Sequence, residues 1–341
     1  MITRAKPAKA VRPADVVVQK KRLPPQGAIK ASYPGFIEPS SATLRSTPPT
    51  GANWLHEIKF DGYRLQARIR PNQVKLLTRS GLDWTTKFGV ALAAALADLP
   101  VEEAVIDGEV VAEAGSGAPD FSALQDALST GHVERLVFYA FDLLYLDGYD
   151  LRAVPLIERK AELAAIITNP GAVRFSEHFE DDGARLLSHA CRLGLEGVVS
   201  KATDAPYRSG RGKGWVKSKC SNRQEFVVAG YVPSSVSIKA IGSLVLGYFK
   251  GGQLIHAGRV GTGFSNKVAA DLFRRLDPTA IPKSPFVRKL SAEDARRVRF
   301  VRPEVVAEVE FRAWTAEGLV RHASFKGLRE DKPAEDVVLE A

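Results

Sequence analysis

The sequence changes texture about two-thirds of the way along, and the change restricts the architectures open to it. From Trp54 to Lys219 short runs rich in branched and aromatic residues alternate with helical segments. After residue 225 strand-like runs follow one another with a single helix candidate among them. The first part holds the strand candidates WLHEIK, YRLQARI, VKLLT, AVIDGEVVA, RLVFYAFDLLYL, VRFSEHF, EGVVSKA and GWVKSK, whose residue types fit a pleated, half-buried surface. Between them KFGVALAAALADL, DFSALQDAL, PLIERKAELAAII and DGARLLSHACRLG read as helices; the second opens beside an acid suited to a cap, and the third has Pro155 in its first turn. This interleaving predicts an α+β domain with mixed or antiparallel sheets over residues 35–222.

Residues 223–335 carry EFVVAGYV, SLVLGYF, LIHAGRV, EVVAEVEFRAW and LVRHASF, broken by turns such as Gly251-Gly252, with NKVAADLFRRL as the helix. About five short strands and one helix fit a small all-β Greek-key barrel of the OB type, a frequent nucleic-acid platform. Residues 336–341 are expected as a C-terminal tail. A length of 341 residues suits two domains rather than one.

The net charge of +9 is unevenly placed. Residues 1–30 carry eight basic side chains (Arg4, Lys6, Lys9, Arg12, Lys20, Lys21, Arg22, Lys30) against Asp15 alone, a net of +7, which leaves 40 basic and 38 acidic residues, or +2, for the rest. Residues 1–34, rich in Pro, Ala and Lys without sustained periodicity, read as a basic disordered tail. Holding phosphate backbone non-specifically and being a solvated tail without a task stay open alternatives, with an organelle-targeting peptide a weaker third.

The sequence has no apolar run of eighteen or more residues and no apolar centre of a signal peptide, so a soluble, cytoplasmic protein with no membrane partner is expected. Cys191 and Cys220 stand alone, without C-x-x-C or a histidine cluster, and are expected as plain packing residues rather than a disulfide or zinc ligands.

The stretch WLHEIKFDGYRLQARI, residues 54–69, sets Lys59 in a K-x-D-G-x-R turn between two strand-like runs. A lysine attacks a carbonyl or phosphorus only as the neutral amine, and at an ordinary pKa near 10.4 roughly one in a thousand or fewer is neutral at pH 7. Neighbouring cations, a metal ion or desolvation must lower that pKa, and attack on a triphosphate also needs cations over the phosphate oxygens.

Candidates for each need lie elsewhere in the chain. TDAPYRSGRGKGWVKSK gathers Arg208, Arg211, Lys213, Lys217 and Lys219, the last two on one face if the run is a strand. LVRHASFKGLREDK adds Arg321, Lys326, Arg329 and Lys332. Glu109 in DGEVV and Glu196 in EGVVSK sit at strand edges, where carboxylates suit Mg²⁺ or a ribose hydroxyl. Singly, each has a bland reading: a solvated turn lysine, a common D-G-E turn, an exposed K-x-K face, and for Phe141 an ordinary core ring.

In order along the chain, EIKFDGYR, LTRSGLDWT, IDGEVV, YAFDLLYLDG, LEGVVSK, GWVKSKC and RHASFKGLREDK resemble the ordered motifs of the covalent nucleotidyltransferase superfamily. The resemblance is to ATP-dependent DNA ligases, most closely the ligase module of bacterial end-joining ligase D, and covers residues 35–335. It implies an adenylation (nucleotidyltransferase) domain over residues 35–222, followed by the OB domain. It also implies ATP as co-substrate, Mg²⁺ or Mn²⁺ as metal, and nicked double-stranded DNA as substrate. DNA repair or non-homologous end joining is the implied setting, with a monomer acting at the bacterial nucleoid and a Ku-type end-binding protein as a possible partner in the family pattern.

Carried over motif by motif, Lys59 becomes the nucleophile that takes AMP from ATP. Glu57 reads the adenine amino group, Phe141 stacks on the ring, and Ile58 joins the nucleotide-binding residues. Arg64 and Arg79 hold ribose and phosphate, Glu109 contacts ribose or metal, and Glu196 binds a divalent ion. Lys217 and Lys219 meet the α-phosphate. Arg329, Asp331 and Lys332 orient the leaving pyrophosphate from a mobile OB domain, with SNRQE, residues 221–225, as its hinge. An extra DNA-encircling domain and fused polymerase or nuclease modules are not expected. An RNA ligase or capping guanylyltransferase is the nearest rival, and a catalytically dead nucleic-acid scaffold is the rival of another class.

Overall fold

The computed structural model describes residues 23–113, 119–168, 171–180 and 182–340. The chain first runs through β1 (Ile29–Lys30), β2 (Ser40–Leu44), β3 (Trp54–Lys59), β4 (Tyr63–Arg70) and β5 (Gln73–Thr78). Helices α1 (Thr85–Phe88) and α2 (Val90–Ala97) lead to β6 (Ala104–Ala112), α3 (Phe121–Thr130), β7 (Leu136–Leu146) and β8 (Tyr149–Asp150). Next come α4 (Leu156–Ile166), β9 (Val173–Phe175), β10 (His178–Phe179), α5 (Gly183–Arg192), β11 (Gly197–Ala202) and β12 (Gly210–Lys219). The last stretch holds β13 (Asn222–Pro233), β14 (Ile241–Lys250), β15 (Gln253–Val260) and α6 (Asn266–Leu276), then β16 (Arg299–Phe311), β17 (Ala313–Trp314), β18 (Val320–Arg321) and β19 (Ser324–Leu328).

Among the described residues three large sheets result, beside a two-stranded ribbon of β17 and β18. One is ordered β1-β8-β7-β6-β4-β5 with β9 beside β7, the second β10-β3-β11-β12-β2, and the third β15-β14-β13-β16-β19. Local sequence explains the helix boundaries: Asp120, Asp182 and Ser265 accept hydrogen bonds from backbone N–H groups of the first turns of α3, α5 and α6, satisfying donors the helix itself cannot. The segment expected as one helix over KFGVALAAALADL breaks at Gly89, whose positive φ of 84° ends α1 and starts α2. VRFSEHF divides likewise: β9 joins the first sheet and β10 the second, so the bend at Ser176-Glu177 carries the chain from one to the other.

The first sheet packs α2, α3 and α4 over Leu65, Leu76, Phe88, Leu124, Phe138 and Leu163, all buried. Its other face meets the second sheet across Ile37, Val105, Phe141, Tyr145, Tyr207 and Trp215. Two large aromatic rings, Phe141 and Trp215, thereby reach the edge of the cleft between the sheets. The third sheet buries one face under α6 and the other under the segment around Ala334 and Val337.

The nucleotidyltransferase fold stands as expected, whereas the OB-type part is not a closed barrel among the described residues. Its sheet curls until Phe325 N–H of β19 donates to Thr262 O just past β15, at 2.9 Å, but no ladder joins the two edge strands.

The expected packing role of the cysteines is overturned. Cys191 and Cys220 form a disulfide, with an S–S distance of 2.12 Å. Their spacing of 29 residues gives no sign of this; α5 packs on β11 and β12 pairs with β11, which brings the end of the helix to the residue after Lys219.

Residues 1–22 of the expected basic tail lie outside the described residues, but residues 23–34 belong to the fold: Ile29–Lys30 pairs with Tyr149–Asp150, and the Tyr33 ring meets Tyr145. Residues 336–340 are also placed, with Val337 fully buried. The expected hinge is strand from Asn222 onward. No helix of the described residues is long and apolar enough to cross a membrane.

Candidate active site

Strand register assembles the site. In the second sheet Lys59 of β3 stands opposite Gly197 of β11, which stands opposite Lys219 of β12; one step along, Glu57 is opposite Val199 and Val199 opposite Lys217. Residues directly opposite one another project to the same face, as do residues two apart on a strand. One face therefore carries Glu57, Lys59, Lys201, Lys217 and Lys219, and it forms the floor of a cleft of about 430 Å³.

Two glycines allow this closeness. A Cβ on Gly62, of K-x-D-G, would lie 2.0 Å from Val110 O, and one on Gly197, after Glu196, would lie 2.2 Å from Ser218 O. The first permits β4 to leave the Lys59 turn directly under β6, and the second lets β12 bring Lys219 against the Glu196 corner.

Lys59 Nζ donates to Glu196 Oε2 at 2.5 Å. Burial works to lower the lysine pKa, but the charges of Glu196 and Glu109 outweigh it, so the amine is held charged above its usual range. Glu196 lies below the usual carboxylate range because Lys59, Lys219 and Arg223 outweigh its own burial. Glu109, on β6, is pushed up to about 7 by burial, with Lys59 and Arg329 opposing. Burial and the adjacent Lys219 charge push Lys217 down.

Arg64 is placed at the cleft but faces the protein. It makes a bidentate pair with Asp107 at 3.0 and 2.6 Å, donates to Ser40 O, and stacks 5.4 Å from the Phe141 and Trp215 rings. Arg79 and Lys332 meet on Glu225 of β13, whose carboxyl is held well below its usual range by these cations and Arg329 despite burial. Arg329 binds Asp331, Glu308 and Gly62 O, and lies over the Tyr63 ring. These contacts dock the third sheet against the first two. Of the residues singled out from sequence, Glu57, Ile58, Lys59, Arg64, Arg79, Glu109, Phe141, Glu196, Lys217, Lys219, Arg329 and Lys332 line one cleft. Asp331 does not; it is fully buried beneath it, as the partner of Arg329.

Residues 41–219 match the ATP dependent DNA ligase domain family, and residues 237–332 match the ATP dependent DNA ligase C terminal region. The first match alone spans more than half of the chain. The chain belongs to the ATP-dependent DNA ligase family. It is 42% identical over 313 residues to the multifunctional non-homologous end joining protein LigD of Pseudomonas aeruginosa, covering 90% of this chain and 37% of that protein. It is 32% identical over 204 residues to the SPbeta prophage-derived DNA ligase-like protein LigB of Bacillus subtilis, covering 59% of this chain and 74% of the relative. The solved structure of mycobacterial DNA ligase D complexed with ATP and MES is similar at a TM-score of 0.63 and 37% identity, covering 88% of this chain and 98% of the other. The chain spans little more than a third of the length of the LigD relatives it matches.

This ligase-family chain also uses residues that its motifs did not single out. Glu57 is gripped by Lys160 of α4 at 2.7 Å and Lys201 of β11 at 2.8 Å. Lys201 sits over the Phe141 and Trp215 rings at 4.3 and 4.2 Å, and burial together with Lys160 pushes its amine down despite Glu57. Arg223 joins Asp61 of the K-x-D-G turn at 2.6 Å to Glu308 at 2.9 Å. Glu340 reaches both Lys217 and Lys219, at 2.8 and 2.9 Å. Lys201 was legible from its place in EGVVSKA, two residues on from Val199; Lys160 looks like any lysine of a charged helix, and Glu340 lies outside every motif.

Proposed function

We propose that the protein seals nicks in double-stranded DNA with ATP, through a lysyl-AMP on Lys59 and then a DNA-adenylate. The observation that supports it most is the alignment of Lys59, Lys217 and Lys219 on one sheet face, beside the Phe141 ring and under Arg329 and Lys332. In the first step Lys59 Nζ attacks the α-phosphorus, a P–N bond forms, and the P–O bond to pyrophosphate breaks. The nucleophile must be neutral, so the Lys59 ammonium gives up one proton to solvent water as its pair with Glu196 parts, and the freed amine then attacks. Lys217 and Lys219 neutralise the α-phosphate, and Arg329 and Lys332 the departing pyrophosphate, by fixed charges in a partly desolvated cleft. In the later steps AMP passes to the 5′-phosphate of the nick, and the 3′-hydroxyl displaces it.

Phe141 stacks on adenine and Glu57 reads its amino group, with Ile58 lining the same end; Arg64 and Arg79 face ribose and phosphate. Glu109 and Glu196 suit a divalent ion such as Mg²⁺ or Mn²⁺, since such ions often take one or two carboxylates and complete their shell with substrate phosphate and water. No group of three or more acidic, histidine or cysteine side chains that would cage a metal occurs among the described residues. Bound there, the ion would supply positive charge at the phosphate oxygens.

The adenylation domain, 35–222, and the OB-type domain, 223–335, need to separate between steps, because the cations that cover pyrophosphate block the face DNA must reach. The swing pivots at Ser221, which with the disulfide-bonded Cys220 forms the two-residue link between β12 and β13. End joining with a Ku-type partner, and action as a monomer at the bacterial nucleoid, complete the reading.

The test is sealing of a singly nicked DNA duplex, 5′-labelled at the nick, with ATP and Mg²⁺, beside the same nick in RNA. Sealed DNA with little sealed RNA is expected. A closed RNA nick with open DNA would move the assignment to RNA ligation, and ATP labelling of Lys59→Ala equal to that of the unaltered chain would remove the mechanism.

A further inference from the structure

The segment Pro333–Glu340 is anchored on the third sheet and ends in the cleft. Ala334 and Val337 are buried against Val227, Val245 and Val306, and Phe249 N–H donates to Val337 O at 2.7 Å. Val338 then bridges to Phe249, and Glu340 N–H donates to Gln224 Oε1 at 3.3 Å. The outcome is a carboxylate laid across two ammonium groups: Glu340 Oε1 takes Lys217 at 2.8 Å and Oε2 takes Lys219 at 2.9 Å.

Those are the two lysines assigned to the α-phosphate. A carboxylate fork and two phosphate oxygens present similar acceptor geometry to a pair of cations, and each lysine here is already committed. Lys219 is further tied to Arg223 O and lies 4.0 Å from Glu196. The Glu340 side chain keeps about a fifth of its surface in water, so leaving the lysines does not require unfolding.

We propose that Glu340 is an internal competitor of the nucleoside triphosphate, holding Lys217 and Lys219 until the α-phosphate displaces it. The inference rests on the assignment of these lysines to phosphate. Because the segment is part of the third sheet's packing, it moves with that sheet, and opening of the two domains withdraws the carboxylate together with Arg329 and Lys332. The docked arrangement is thus a guarded one: the cations that would orient pyrophosphate are in place, while the α-phosphate position is taken by the protein's own anion.

The experiment compares the unaltered chain with Glu340→Gln and Glu340→Asp in two measurements. One is the ATP dependence of lysyl-AMP formation; the other is calorimetric binding of α,β-methylene-ATP with Mg²⁺, which needs no chemistry. Glu340→Gln is expected to lower both the KM for ATP and the analogue Kd by about two- to fivefold, the range of a partly exposed ion-pair contact, with kcat within about twofold. Glu340→Asp is expected to fall between. An unchanged or weaker Kd in Glu340→Gln overturns the proposal, as does failure of both proteins to bind the analogue. Tighter analogue binding without any lysyl-AMP would leave Glu340 a nucleotide competitor and remove the ligase chemistry instead.

Discussion

Two glutamates of the cleft each stand between two lysines, and they are built differently. Glu57 holds Lys160 and Lys201 at 2.7 and 2.8 Å, and all three side chains are almost wholly buried. Ser176 completes that set, its carbonyl taking Lys160 at 2.9 Å. Glu196 holds Lys59 at 2.5 Å but Lys219 only at 4.0 Å, and Lys59 keeps 22% of its side chain in water. Lys219 divides itself among Glu196, Arg223 O and Glu340. The first cluster is saturated and deep, so its charges are fixed. The second is unequal and open at one end, which lets a phosphate exchange for a carboxylate with little rearrangement.

The contrast breaks most directly by removing each glutamate. Taking one partner from a buried ion cluster leaves uncompensated charge, at about 3–5 kcal/mol. Glu57→Ala is expected to lose that much in urea unfolding, because neither lysine has water to turn to. Glu196→Ala is expected to cost about 1 kcal/mol or less, since Lys59 reaches solvent and Lys219 retains two other partners, yet to abolish lysyl-AMP formation. Equal stability losses would show that the two clusters are energetically alike.

Much of this arrangement was legible in the sequence because it follows from strand alternation. Lys217 and Lys219 share a face for the same reason that Glu57 and Lys59 do, and the ordered motifs mark both strands. What was not legible depends on distant packing. Cys191 and Cys220 meet only because α5 and β12 both lie against β11. Lys160 faces Glu57 because the bend at Ser176 turns α4 and β9 over the start of the second sheet. Residues 222–225 look like a polar linker but are strand, paired with β16, and their charges are consumed by Asp61 and Arg79 across the cleft and by Glu308 and Lys332 of their own domain.

The disulfide gives the next largest effect. It follows Lys219 directly and fixes the strand of the looser cluster to α5, closing a loop with a separation of 29 residues. Loop-closure entropy assigns such a link about 3.6 kcal/mol. Reduction, or Cys191→Ser with Cys220→Ser, is expected to lower the urea midpoint accordingly. It should also raise hydrogen exchange in β12 near Lys217 and Lys219 but not in β3 around Glu57. Uniform exchange across both strands would remove the idea that the bridge serves one cluster.

The smallest effect sharpens the comparison most, because it asks whether the deep cluster is only structural. Lys160 does not line the cleft; it touches Glu57 from behind, at 2.7 Å, and Lys201 remains on the other carboxylate oxygen. Lys160→Met keeps the length of the side chain and leaves Glu57 with one cation, so the stability cost is expected to be about 1–2 kcal/mol rather than that of removing the glutamate. If the cluster merely fills space, ATP and a triphosphate of purine riboside, which lacks the 6-amino group, should be affected alike. If Lys160 positions Glu57 against the adenine amino group, the KM for ATP should rise several-fold while that for the purine triphosphate stays put, with kcat unchanged for both. A parallel rise for the two nucleotides would return Glu57 and its lysines to the scaffold and leave base recognition to Phe141 and the backbone around Ile58.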